Sequence, residues 1–151
     1  EFRRVLFRSA VKEMDVPVCI MHNRKEIDYQ NFMEDFLADM KESITIAKNA
    51  GIAEDKIMID PGIGFAKTLS MNLSLVNHLE ILKQFGYPVL LGTSRKSMIG
   101  NTLKVPVDQR LEGTIATSVI GVMKGCHFVR VHDVLENQRA IRMTEAILSA
   151  E

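Results

Sequence analysis

Apolar positions along the chain alternate between two regimes. Short β-rich apolar runs are followed by longer stretches in which apolar residues recur at helical spacing. The first run is Val16–Met21, followed by a polar loop, His22–Glu26. A long helix is then expected from about Asp28 to Asn49, with Phe32, Phe36, Met40 and Ile44 on one face and Gly51 closing it. Lys56–Asp60 reads as the second strand and Pro61–Ser70 as a loop. Met71–Phe85 reads as a helix burying Leu75, Leu79 and Leu82, stopped by Gly86. Pro88–Gly92 is the third strand, opening into Thr93–Ser97 and a short helical turn, with Asn101–Val107 as loop. A third helix spans about Asp108–Met123, and strand four runs His127–His132. A final helix extends from an Asp133 N-cap to about Leu148. Four strand–helix units in this rhythm predict an α/β fold with parallel strands. The pattern leaves open whether the sheet is doubly wound or part of a barrel.

Composition narrows the function classes. The chain has 151 residues, 46% of them apolar and 25% charged, in the range of one globular domain. Its formal net charge is zero, which argues against a nucleic-acid surface. No apolar run approaches the roughly 20 residues of a membrane span, so no membrane partner is expected. Cys19 and Cys126 lack CxxC spacing and are expected to be buried free thiols of a cytoplasmic protein. Residues Glu1–Ser9, EFRRVLFRS, show no helical or strand period. Their codons can spell a string resembling a sequencing-library adapter. The reading is therefore a non-native segment 1–9 followed by a partial domain, 10–151.

Polar residues gather at the carboxyl end of every predicted strand, the edge at which parallel α/β folds bind ligands. They are Met21-His22-Asn23, Asp60-Pro61-Gly62-Ile63-Gly64-Phe65, Ser94-Arg95-Lys96-Ser97 and Arg130-Val131-His132-Asp133. The carboxylate of Asp60 offers two acceptors that match a fork of N–H donors on a flat heterocycle, or it caps its own loop. Ser94–Ser97 places cations and hydroxyls at a helix start, a pattern that suits an anion or an exposed basic turn. Arg130 and His132 share one face of a strand with Phe128 and suit a phosphate, or an ion pair with Asp133 or Asp60. His78 and His127 read as structural.

Taken together and in this order, MHN, DPGIGF, GTSRKS and RVHD resemble the dihydropteroate synthase family, from about Val16 to the carboxyl terminus. The resemblance implies a TIM (β/α)8 barrel of which these are strands five to eight, the carboxyl-terminal half. It implies condensation of 6-hydroxymethyl-7,8-dihydropterin pyrophosphate with p-aminobenzoate. Asp60 then binds the pterin edge, Lys96 contacts the pterin ring and Met21 packs on it. Phe65 lines the aminobenzoate pocket, and Ser97 receives the aminobenzoate carboxylate. Arg130 and His132 hold the pyrophosphate, so Lys96, Arg130 and His132 carry the catalytic roles. The resemblance also implies Mg2+, whose ligand is expected in a first half outside this chain, and a homodimer through the late helices. Ala66 departs from the glycine of many members and is expected only to stiffen the loop. Two other readings are a methyltetrahydrofolate-binding methyltransferase and a silent pterin-binding or oligomerisation module. The chain alone is expected to be inactive.

Overall fold

The computed structural model describes residues 16–150. The segment 1–9 therefore lies outside the described residues. Strand β1 (Val18–Met21) pairs in parallel with β2 (Ile57–Asp60), in a register that sets Met21 opposite Asp60. Strand β3 (Leu90–Leu91) pairs in parallel with β4 (Phe128–Val129). A parallel bridge between Ile59 and Val89, with a bond from Ile59 N–H to Pro88 O of 2.9 Å, joins the two pairs. The spatial order is thus β1-β2-β3-β4, with consecutive strands adjacent.

The helices account for one face of this arc. Helix α1 (Phe32–Asn49) buries Phe36, Met40, Ile44 and Ala47. Helix α2 (Leu69–Asn77) starts at Thr68, whose hydroxyl accepts the Met71 N–H at 3.2 Å. It passes at His78 into a 3-10 segment, Leu79–Phe85, that ends on Gly86 in the left-handed region. Helices α3 (Ser97–Leu103), α4 (Leu111–Met123) and α5 (Val134–Leu148) complete the layer. Ile57, Ile59, Val89 and Leu91 point into the helices and are buried. The alternate residues of the strands point the other way. There Cys19, Met21 and Phe128 are exposed, Phe128 by 51%. Among the described residues the sheet is covered on one face only, with strands in sequential order, as in a segment of a barrel wall; a doubly wound sheet is covered on both.

Several elements differ from the sequence reading. The first helix starts at Phe32 rather than Asp28, because Asp28 pairs with Arg24 at 3.0 Å and the Tyr29 ring lies under the same guanidinium. The second helix is two segments, not one, although Leu75, Leu79 and Leu82 are buried as expected. The helix expected over Asp108–Met123 begins, as α4, at Leu111, after a 3-10 turn at Val107–Gln109. The fourth strand is two residues long. The Arg130 N–H still bonds Leu91 O at 2.9 Å, but the His132 N–H turns to the Ser94 hydroxyl at 3.1 Å. Asp133 precedes α5 without a side-chain cap, its carboxylate being taken by Arg95. Cys19 and Cys126 are free, as read, but Cys19 is exposed on the open face and Cys126 is half-buried. Ala66 adopts φ 46°, a left-handed conformation that favours glycine, so it strains the loop, which the expectation of stiffening alone did not include.

Candidate functional site

The open face ends, at the carboxyl rim of the strands, in a group of charged side chains. Asp60 closes β2 and is 6% exposed. Its Oδ1 accepts the Gly62 N–H at 2.7 Å, as a loop cap would. Its Oδ2 points into the rim, where a side chain on Gly92 would meet it at 3.9 Å and the Arg130 guanidinium at 3.7 Å. One oxygen is thus engaged by the loop, and the other faces the rim. Burial raises its pKa, while the Gly62 N–H, Lys96, Arg130 and Lys67 draw it back down. Glycine at position 92 leaves the space between Asp60 and Arg130 free of a side chain.

Lys96 follows β3 and reaches across to the second loop, where its ammonium donates to Ile63 O and lies 4.7 Å from the centre of the Phe65 ring. Burial lowers its pKa, opposed by Asp60 and reinforced by Arg130. Phe65 is partly exposed beside it, and Met21 flanks Asp60 on the neighbouring strand. Ser97 opens α3 and is exposed.

Arg130 and His132 extend along the open side beyond β4. The ring of His132 is held by Ser94, whose hydroxyl lies 2.8 Å from Nδ1 while accepting the backbone N–H of His132. The Ser94 hydroxyl thus fixes the ring through Nδ1, and the exposed His132 keeps Nε2 for another partner. Asp133 is the partner not of Arg130 but of Arg95, in a two-pronged pair of 2.6 and 3.1 Å. Arg95 thus ties its loop to the start of α5 rather than facing a ligand. Its backbone, at φ 56°, is fixed by Thr114 Oγ1 and by Arg110. His78 and His127 lie outside the rim group, with His127 Nδ1 accepting the Val89 N–H at 3.1 Å.

Asp60, Lys96, Phe65, Arg130, His132 and Met21 therefore share one rim. A model of the pterin-binding enzyme family matches residues 5–132. The chain belongs to that family.

Members of the family among curated relatives include a dihydropteroate synthase of Clostridium beijerinckii, 60% identical over 135 residues, covering 89% of this chain and 50% of the relative. A dihydropteroate synthase of Bacillus subtilis is 50% identical over 141 residues, covering 93% and 50%. The chain thus spans about half the length of the curated relatives it matches. Among solved structures, the Yersinia pestis dihydropteroate synthase superposes with a TM-score of 0.91 at 41% identity, covering 95% of this chain and 59% of that one. A dihydropteroate synthase from Coxiella burnetii, in complex with pteroic acid, gives 0.89 at 38% identity, covering 95% and 57%. The four strand–helix units form the carboxyl-terminal half of the family's (β/α)8 barrel.

Three contributors escaped the sequence reading of this pterin-binding half barrel. Ser94 appeared there as part of a basic turn and orients His132 instead. His22 appeared as a rim residue but points backward, 2% exposed, toward α1. Lys67 was not singled out, and it is a buried cation behind the second loop. A lysine seven residues beyond Asp60, inside a run otherwise short of charge, was the available signal.

Proposed function

We propose that the chain supplies the pterin and leaving-group side of a dihydropteroate synthase, which joins a pterin pyrophosphate to p-aminobenzoate. The observation carrying this reading is the shared rim of Asp60, Lys96 and Arg130. A carboxylate suited to a flat N–H edge lies within one ring's reach of cations suited to a diphosphate. Asp60 binds the pterin edge, Met21 packs against the ring, and Lys96 contacts it. Phe65 and Ser97 receive the aminobenzoate ring and carboxylate. Arg130 and the His132 ring take the charge that grows on the departing pyrophosphate.

The chemistry asks little more of the protein. The amine nitrogen attacks the pterin methylene carbon, the carbon–oxygen bond to pyrophosphate breaks, and the amine proton passes to water. An aromatic amine is neutral near pH 7, so no strong base is assigned, and positioning dominates. Mg2+ belongs to the proposal as a counter-ion that screens the diphosphate. Among the described residues no group of three or more His, Cys, Asp or Glu side chains is placed to hold a metal ion.

A cytoplasmic homodimer is part of the same reading. Helix α4 buries Thr114, Thr117, Ser118 and Gly121 against its neighbours and leaves Ile120 and Met123 outward. Met143 and Ile147 of α5 are exposed as well, an apolar surface suited to a second subunit. No helix of the described residues is long and apolar enough to cross a membrane.

Calorimetric titration with pteroic acid and with inorganic pyrophosphate tests the proposal. Both are expected to bind. Ser94→Ala, which frees the His132 ring, is expected to weaken pyrophosphate about tenfold while leaving pteroic acid nearly unchanged. Binding of neither compound defeats the reading, and binding of pteroic acid with indifference to pyrophosphate favours the methyltransferase. With one face of its sheet open, the 151-residue chain alone is expected to form no dihydropteroate. Turnover by the purified chain would contradict that.

A further inference from the structure

Lys67 is 8% exposed and lies behind the loop that carries Asp60 and Phe65. Its ammonium donates to Gly62 O at 2.9 Å and to Phe65 O at 3.0 Å, and it meets His22 Nδ1 at 2.8 Å. Three N–H bonds thus meet three acceptors. The imidazole is itself oriented, because its Nε2–H donates to Asp39 Oδ2 at 3.0 Å, which leaves Nδ1 as an acceptor for Lys67. Asp39 is gripped in turn by Arg24, through bonds of 2.6 and 3.1 Å. Helix α1, the end of β1 and the loop after β2 are joined by this one relay.

Burying an ammonium is costly, and an apolar side chain of similar length would fill the same space more cheaply. What the cation adds is direction. A lysine with three acceptors fixes the carbonyls of the loop in place, and with them the residues on either side. We infer that Lys67 is a positioning residue, whose grip on the Gly62 and Phe65 carbonyls holds Asp60 and Phe65 in their ligand-facing places. This rests on the assignment of Asp60 and Phe65 to ligand binding. Lys96 bonds Ile63 O from the opposite, ligand-facing side. Lys67 keeps the loop in place when Lys96 turns to a ring.

The relay needs a defined protonation state. Burial is the main force pushing Lys67 down to about 8; Lys96 adds to it, while Asp60 and Asp39 oppose it. Burial and the Lys67 charge push His22 down to about 4, with Arg24 in the same direction and Asp39 against. Bonds from Arg24 and His22 keep Asp39 below its usual range in spite of its burial. Neutral His22 beside charged Lys67 is therefore the state between these limits. When Lys67 loses its proton, one of its three acceptors loses a donor.

The test follows the unsubstituted chain by NMR from about pH 6 to about pH 10, a span that brackets the Lys67 transition. The Lys67 Cε resonance and the backbone amides of residues 62–66 are expected to shift together, with one midpoint near 8. In Lys67→Met the same amides are expected to be displaced already and insensitive to pH. Affinity for pteroic acid is expected to fall about tenfold across the midpoint in the unsubstituted chain. In Lys67→Met it is expected to be about tenfold weaker throughout, without the alkaline limb. Loop amides that ignore Lys67, or that keep their positions in Lys67→Met, overturn the inference. The first of these needs no variant, so a Lys67→Met chain that fails to fold does not shield it. Coincident titration in a chain that binds no pteroic acid would retire the ligand assignment, and with it the positioning role. Pteroic acid binding with uncoupled titration would retire the role of Lys67 alone.

Discussion

Replacing Asp60 with asparagine is expected to weaken pteroic acid binding by about a hundredfold or more. The geometry leaves the amide no good orientation. If its nitrogen takes the place of Oδ1, it faces the Gly62 N–H, donor against donor, where the carboxylate now accepts at 2.7 Å. If its nitrogen takes the place of Oδ2, it faces the Arg130 guanidinium and the bound N–H edge, again donor against donor. The negative charge that balances Lys96, Arg130 and Lys67 is also lost. A hydrogen bond to a charged group contributes about 1.5–3 kcal/mol. Losing the charged bond at Oδ2, or the Gly62 bond at Oδ1, therefore amounts to as much as about 3 kcal/mol, or a hundredfold. Calorimetry with pteroic acid on Asp60→Asn, alongside circular dichroism to show that the fold is kept, measures it. A loss below about tenfold would mean that Asp60 is not the principal contact.

Acidification is expected to destabilise the fold through His22. Its folded-state pKa, about 4, lies below the ordinary 6.5, chiefly because the ring is buried and beside the Lys67 ammonium. A base depressed by folding binds fewer protons in the native chain than in the unfolded one, so its contribution is complete above about 6.5 and is lost as pH falls toward about 4. The shift corresponds to about 3 kcal/mol across that window. Asp39 titrates below the usual carboxylate range, and its loss comes later in the acid limb. Asp60, raised by burial, acts with the opposite sign and is common to the proteins compared. Urea denaturation at about pH 7 and about pH 4.5, on the chain and on His22→Gln, should show the variant losing markedly less stability on acidification. Equal losses in the two proteins would place the acid sensitivity elsewhere.

What the sequence made legible follows from which interactions are periodic. Phe36, Met40 and Ile44 recur at helical spacing, so the buried face of α1 was readable. The break at His78 was not, because Leu75, Leu79 and Leu82 keep an apolar spacing that a helix and a 3-10 continuation both satisfy. Asp60, Lys96, Arg130 and His132 were readable as rim residues because each follows an apolar run, and parallel strands bring such ends together. Lys67 and Ser94 were not, since their partners lie 45 and 38 residues away and depend on where the chain returns. The same holds for Arg95 and Asp133, whose pairing across 38 residues turned an apparent anion-binding arginine into a tie between loops. The exposure of Cys19 likewise follows from which face of the sheet the helices cover, which alternation alone does not say.

Gly62 sits at φ 66°, so close to the chain at His22 that a methyl group there would lie 1.9 Å from the His22 carbonyl oxygen. The two loops at this corner are therefore packed backbone against backbone. The close-packed corner also gives the outer layer a handle on the inner one. A substitution at Asp39, on the outer helix, would release the imidazole, then the ammonium, and through it the Phe65 carbonyl, like an adjusting screw set in the outside of the wall.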